Sequence, residues 1–402
     1  MIDAGSPSSS TATVRTGAER LLTDAAETIR GLRIGVLTNH TGRLHDGRST
    51  IDAIVESGLA TVVALFGPEH GIAGDAPDGN PVDHSEHPRY HIPIHSLYGH
   101  THKPTPDMLH GIDVLVCDIQ DIGSRFYTYL STIALAIEAA AEQGVRIAIL
   151  DRPNPIRGLT CSGPVREPSL KSFVGWLPIP VTYGMTIGEL ARMCNEEGWL
   201  AKGAKADLTI VQLEGWSREQ WFDETGVHWV PPSPNIPRLS SAIVYPGMCF
   251  VEGTSLSEGR GTVTPFEVVG APWVDSRKVV SEVKASSFPG VEFLEESFTP
   301  RAIDGMAKDP KYEGERCHGV RTHITQRDGV DAVRLGITVL AAFKRVHPRE
   351  TELRHRRFDI LTGDQRVRHL LERGASPDDI VASWMGGLEH FEQLRRNYLL
   401  YP

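Results

Sequence analysis

The chain has 402 residues, 40% of them hydrophobic and 23% charged, with a formal net charge of -10. That length exceeds one ordinary core and predicts two domains of roughly 100–200 residues each. The composition excludes a disordered chain, and the acidic balance without a basic cluster excludes a nucleic-acid footprint.

The elements follow in chain order. Residues 1–15 are rich in Ser and Thr and read as a flexible tail. They contain no basic segment followed by an apolar run, so no secretory signal is expected. Residues 33–37 (RIGVL) form a buried strand that ends at Thr38-Asn39-His40-Thr41-Gly42. Residues 51–55 have helical spacing, and residues 61–66 (TVVALF) are a second strand closed by Gly67-Pro68-Glu69-His70-Gly71. The segment 79–95 carries His84, His87, His91 and His95 among Pro and Ser, and reads as a solvent-exposed lid. Residues 114–117 (VLVC) are a strand ending at Asp118, residues 130–143 an Ala-rich amphipathic helix, and residues 146–150 a strand ending at Asp151-Arg152-Pro153. Thr186 with Glu189 at N3 marks a capped helix start. The Pro-rich passage 230–237 is loop, and the domain boundary is set just after it, giving domains 16–240 and 241–402. Helices over 364–373 and 378–395 close the chain.

Short apolar strands alternating with helices predict an α/β fold with a mostly parallel, Rossmann-like sheet, followed by a smaller α/β domain. No G-x-G-x-x-G follows the first strand, so neither a nicotinamide nor a flavin is expected, and no other cofactor is called for. The five cysteines, Cys117, Cys161, Cys194, Cys249 and Cys317, are odd in number and lack C-x-x-C spacing. They predict reduced thiols and a cytoplasmic location, with no zinc site or disulfide framework. No apolar stretch approaches the ~20 residues that span a bilayer, so no membrane partner is expected. The oligomeric state is left open.

Polar clusters directly after apolar strands mark the crevice of an open α/β sheet. Three strand ends converge there: Asn39-His40, Glu69-His70 and the run Asp118 to Tyr129. A Glu on a Gly/Pro-bounded turn either points into a cleft, where His70 tunes it, or caps the next helix. The run from 118 to 129 holds Asp118, Asp121, Arg125 and Tyr127. Arg125 offers a planar fork for a carboxylate and Tyr127 a surface for a sugar ring, or else an Asp–Arg pair fixes the loop. A third loop, EGTSLSEGRGT, places Glu252, Glu258 and Arg260 among small and flexible residues, either as a ligand loop or as a surface turn with a solvated ion pair. Asn235 in the Pro-rich passage offers an amide to an N-acetyl or hydroxyl group, or simply belongs to a rigid turn. No G-x-S-x-G, H-E-x-x-H or P-loop is present, which argues against a lipase-type hydrolase, a zincin and an NTPase.

The ordered set GVLTNHTG, LFGPEHGIAG, SLYG, DIQDIGSRFYTY, DRPNP, YGMTIGEL, PPSPNIP and EGTSLSEGRGT resembles the NamZ-type exo-β-N-acetylmuramidases, from about Thr16 to the end of the chain. The resemblance implies a cleft between the two domains and removal of N-acetylmuramic acid from the non-reducing end of peptidoglycan fragments. It implies Glu69 as general acid with His70 beside it, and Glu258 across the cleft as nucleophile or base for water. Under a route that uses the substrate's own N-acetyl group, Asp118 or Asp121 orients that amide. Arg260 or Arg125 then pairs with the lactyl carboxylate. Asn39, His40, Tyr127, Asn235 and Glu252 complete the expected substrate-binding set. The partner is a small saccharide or muropeptide. A non-catalytic sugar binder, and a deacetylase or esterase for decorated amino sugars, are the competing readings.

Overall fold

Period-two alternation along the N-terminal strands decides the architecture. On β5 (Val114–Asp118), Val114 and Val116 join one buried cluster while Leu115 and Cys117 join another. On β6 (Arg146–Leu150), Ala148 and Leu150 face the first, Ile147 and Ile149 the second. A sheet apolar on both faces must be covered on both, which selects helical crossovers and parallel strands. The computed structural model describes residues 13–402 apart from 77, 78 and 80.

Helix α1 (Gly17–Leu21) opens on a capping box made by Thr16 and Glu19, and β1 (Arg33–Thr38) follows. Then come α2 (Thr50–Ser57), β2 (Thr61–Gly67), β3 (Ser85–Glu86), β4 (Pro93–Ser96), α3 (Pro106–Leu109), β5, α4 (Thr128–Gln143), β6, α5 (Ile187–Glu196) and β7 (Leu208–Val211). The sheet order is β3-β4-β2-β1-β5-β6-β7, parallel throughout except for the β3–β4 pair. The expected strands and the capping box of α5 are all present.

The second lobe begins with α6 (Leu239–Met248) and β8 (Val268–Ala271), α7 (Ser276–Ala285), β9 (Val291–Phe298) and β10 (Cys317–Ile324). Its three strands form an antiparallel sheet in the order β8-β10-β9. Helices α8 (Ala332–Val346), α9 (His355–Thr362), α10 (Gln365–Glu372), α11 (Pro377–Ala382) and α12 (Met385–Arg395) complete it. Helices α6 and α8 meet backbone to backbone at Gly247 and Gly336, where a Cβ on Gly336 would lie 2.2 Å from the Gly247 carbonyl oxygen. One buried cluster runs from β5 and α4 into α6 and α8, so the two lobes share a core.

Three expectations change. Residues 1–12 of the expected tail lie outside the described residues, but Val14 is buried and Arg15 exchanges backbone hydrogen bonds with Glu214 at 3.0 Å each way. A bridge to the strand-end region pins these residues, which composition cannot show. The His-rich segment, whose residue 80 is also outside the described residues, forms the β3–β4 hairpin at the sheet edge rather than a free lid. Register with β2 through Ile94 and Leu65 holds it there. The last expected helix is two, α11 and α12, interrupted at Ser383 and Trp384.

Candidate active site

The chain leaves β1 on one side through β2 to the edge and returns on the other at β5, which makes the β1/β5 boundary the switch point where ligands of such sheets usually bind. Here the protein fills that crevice itself. Asp118, at the end of β5, is fully buried and receives Arg152 through two bonds, Nε to Oδ1 at 2.6 Å and Nη2 to Oδ2 at 2.9 Å. Thr50 donates to the same carboxylate and Thr38 to the Asp118 carbonyl. The open cavity instead lies one strand over, between the end of β2, the start of α4 and the second lobe.

Its centre is Glu69. The turn after β2 closes with Gly71 N–H on the Pro68 carbonyl at 2.9 Å, and His70 and Gly71 both adopt left-handed backbone at φ 70° and 72°. A left-handed non-glycine residue is strained, and such strain clusters at functional turns. Glu69 Oε2 accepts from the Thr128 hydroxyl at 2.5 Å, on the first residue of α4, and Oε1 accepts from Gly79 N–H at 2.8 Å. His70 is buried, and its Nδ1 donates to the Ala76 carbonyl at 2.7 Å. Tyr98 sits beside Glu69, and burial together with that carboxylate pushes its phenol pKa up.

The cavity is about 290 Å³. That is just below the roughly 300–1,000 Å³ usual for small-molecule sites. Its floor is aromatic: Phe126 and Tyr127 from the first lobe meet Tyr245 at 5.3 and 6.2 Å between ring centroids, and Tyr245 meets Phe266 edge-on at 4.7 Å. Ser233 and Asn235 line one wall, and Asn235 also donates to the Met306 carbonyl at 2.8 Å.

The second lobe contributes charge in strict alternation. Lys311 Nζ lies 3.0 Å from Glu258, and Glu258 lies 3.6 Å from Arg260 Nε. Arg260 Nη2 donates to Glu252 Oε1 at 2.9 Å, and Arg357 Nη2 donates to Glu252 Oε2 at 2.6 Å. Burial lowers the Arg260 pKa to about 10 against the opposing pull of Glu69. Burial raises that of Glu252, with Arg357 opposing and Glu258 adding to the rise. Lys311 also donates toward the carbonyls of Val251, Glu252, Thr254 and Leu256 at 2.8–3.3 Å, so the loop that carries both glutamates is wrapped around one ammonium.

Of the residues expected from sequence, Glu69, His70, Tyr127, Asn235, Glu252 and Arg260 line this one cavity. The other six are placed elsewhere, each for a packing reason. Asn39 closes its own turn, accepting from Thr41 N–H and hydroxyl at 3.0 and 2.6 Å. His40 donates from Nε2 to the Pro231 carbonyl at 2.7 Å and lies over Gly74, where any Cβ would strike the ring. Asp118 holds Arg152. Asp121 accepts from Tyr183 and from Gly123 N–H at 2.6 Å, and burial raises its pKa to about 6. Arg125 is buried against backbone carbonyls of both lobes. Glu258 is behind the cavity wall, 5% exposed, between Arg260 and Lys311. The cavity also takes Tyr98, Thr128, Tyr245, Phe266 and Arg357, none assigned a role from sequence. Tyr98 and Thr128 lie inside the SLYG and DIQDIGSRFYTY motifs and were findable there. Arg357 sits in a charged run that reads as a solvated helix face.

Among the described residues, no group of three or more His, Cys, Asp or Glu could hold a metal, and no helix is long and apolar enough to cross a membrane. All five cysteines are free and buried.

A carboxyl group at a parallel strand end, over an aromatic floor and beside paired arginines, defines an α/β enzyme built for a polar ring compound. Comparison with known proteins gives the family. Two family models, described as Exo-beta-N-acetylmuramidase NamZ, N-terminal and C-terminal, match residues 34–240 and 243–401, and the chain belongs to this family. It is 42% identical over 389 residues to the Peptidoglycan beta-N-acetylmuramidase NamZ of Bacillus subtilis (strain 168), covering 96% of this chain and 91% of that protein. Crystal structures of two DUF1343 family proteins from Bacteroides fragilis share the fold. One has a TM-score of 0.89 at 35% identity, covering 97% of this chain and 99% of that one. The other has a TM-score of 0.77 at 33% identity, covering 96% and 99%.

Proposed function

We propose that this chain is an exo-acting β-N-acetylmuramidase, a glycosidase that releases N-acetylmuramic acid from the non-reducing end of peptidoglycan fragments in cell-wall recycling, with Glu69 as its general acid. The observation that carries the assignment is the setting of Glu69. Among the described residues, its carboxylate is held by a hydroxyl and a backbone N–H. A carboxyl group of that kind can carry a proton and deliver it to the glycosidic oxygen. Glu252 and Glu258 are each gripped by two cations, which blunts them as nucleophiles, and their role is to orient Arg260 and Arg357. Attack on the anomeric carbon then falls to water or to the substrate's own acetamido oxygen, and Asn235 is assigned to that amide. His70 fixes the turn that aims Glu69. The aromatic floor takes the apolar face of the sugar.

We assign the protein to a reducing, cytoplasmic compartment, supported by five free buried thiols. Fractionation with activity recovered outside the cytosol would remove that assignment. For the reaction, a chromogenic β-N-acetylmuramide is run beside the matching β-N-acetylglucosaminide. Release from the muramide alone is expected, with Glu69→Gln slowing it roughly 10²–10⁴-fold while the fold is retained. An active Gln variant removes Glu69 as the acid. No release from either substrate by folded protein removes the reading.

A further inference from the structure

The alternating chain Lys311–Glu258–Arg260–Glu252–Arg357 holds three cations against two anions, so it carries one net positive charge. Among the described residues, this arm of the cavity is therefore suited to an anionic group of a ligand.

The cations are not equivalent. Lys311 is spent on the backbone carbonyls of its loop and on Glu258. Arg260 is committed to Glu252 and Glu258, and its guanidinium lies over the Phe266 ring at 5.2 Å. Arg357 ends the chain. It reaches the cavity from the first turn of α9 with its side chain 46% exposed, against 21% for Arg260. Among the described residues, its hydrogen bond is made by Nη2 alone, to Glu252 Oε2. That contact fixes the plane of the guanidinium and leaves Nε and Nη1 to a ligand. A planar fork, preset by a buried carboxylate, is the group that best receives a second carboxylate.

We infer that Arg357 is the specificity-determining residue of the site, receiving the carboxylate that distinguishes a 3-O-lactyl amino sugar from a plain N-acetylhexosamine. The inference rests on the muramidase reading above. It moves the anion contact from Arg125 and Arg260, which sequence alone brings forward, to a residue on the other lobe's α9. A site that pairs a ligand anion discriminates against analogues that lack it, since the guanidinium then loses its ligand partner. Discrimination on the order of 10–100-fold is expected of one charged hydrogen-bonded pair.

The test crosses two substrates with two enzymes. The substrates are a chromogenic β-N-acetylmuramide with a free lactyl carboxylate and the same compound as its lactyl methyl ester. The enzymes are the wild type and Arg357→Gln. Damage to the fold or to Glu252 slows both substrates alike and cancels in the ratio of their kcat/KM values. Wild type is expected to prefer the free acid by roughly 10–100-fold, and Arg357→Gln to fall below about threefold, mainly through KM. Arg357→Lys, which keeps the charge but not the fork, should recover part of the preference. A wild type that cleaves the acid, with a preference that persists in Arg357→Gln, overturns the inference and leaves the muramidase reading standing. A folded wild type that cleaves neither substrate overturns both.

Discussion

Arg125 separates a structural from a substrate role more sharply than any other residue of the chain. Its motif, between Asp121 and Tyr127, suggests an anion-binding fork. Yet Nη1 donates to the carbonyls of Pro164 at 2.7 Å and Ile179 at 3.0 Å, and Nη2 donates to the Leu361 carbonyl of α9 at 2.8 Å. The guanidinium thus ties the first lobe to the end of the helix that carries Arg357. Gly363 seals it: its backbone is left-handed at φ 75°, and a Cβ there would lie 2.5 Å from Nη2. Arg125→Met keeps most of the apolar stem and removes the three bonds. The Ile179 carbonyl keeps the Arg166 N–H at 3.2 Å, while those of Pro164 and Leu361 lose this donor, at about 1–3 kcal/mol each. Part of that is offset, because burial with Arg166 nearby pushes the Arg125 pKa down to about 9, so its charge is itself desolvated. The expected net loss is about 2–4 kcal/mol. Denaturant unfolding measures it, and Michaelis parameters at a temperature where the variant is folded measure the rest. KM for the muramide should stay within about threefold of wild type. A variant of wild-type stability with KM raised tenfold or more would return Arg125 to the substrate and refute the argument.

Two further outcomes follow from the geometry. Lys311→Met strips the ammonium from four carbonyls and Glu258, and should lower kcat at least tenfold. Added ammonium or methylammonium should restore part of that loss if the loop needs an internal cation, and failure of any small cation to do so would count against it. Asp121 gives a pH signature. Its pKa is raised by burial from 3.8 to about 6, so the folded protein holds a proton there that the unfolded chain releases. Its contribution is fully present below pH ~4 and is lost as pH rises through ~6, about 3 kcal/mol in all. The stability of wild type minus that of Asp121→Asn should therefore decline over that window and then level off, and a flat difference would refute the assignment.

The sheet was legible in the sequence because its strands are buried on both faces, which forces short, nearly continuous apolar runs that few other structures need. The Glu69 turn was legible because Pro68 fixes the backbone ahead of it and Gly71 permits the left-handed conformation that closes it. Other features depend on which distant segments meet. The His-rich segment reads as polar loop until Ile94 finds Leu65 on β2. Val14 and Arg15 read as tail until Glu214 is brought alongside.

Ionic residues were the least legible, for one physical reason. A carboxylate or guanidinium declares its chemistry in the sequence, but its role is set by whether its partner is solvent, ligand or protein. Arg125 and Arg260 each stand in a motif that suggests a ligand fork, and each is bonded to the protein's own carbonyls or carboxylates. Arg357 stands in the run Arg354-His355-Arg356-Arg357, which suggests solvent, and it is the one whose fork opens into the cavity. The contact that makes the difference is the packing of α9 against the loop ahead of Glu258: a Cβ on Gly253 would lie 2.7 Å from the Phe358 Cα. That glycine allows the helix close enough for Arg357 to reach Glu252. A bulkier residue there would move the fork away from the site without altering any charged group in it.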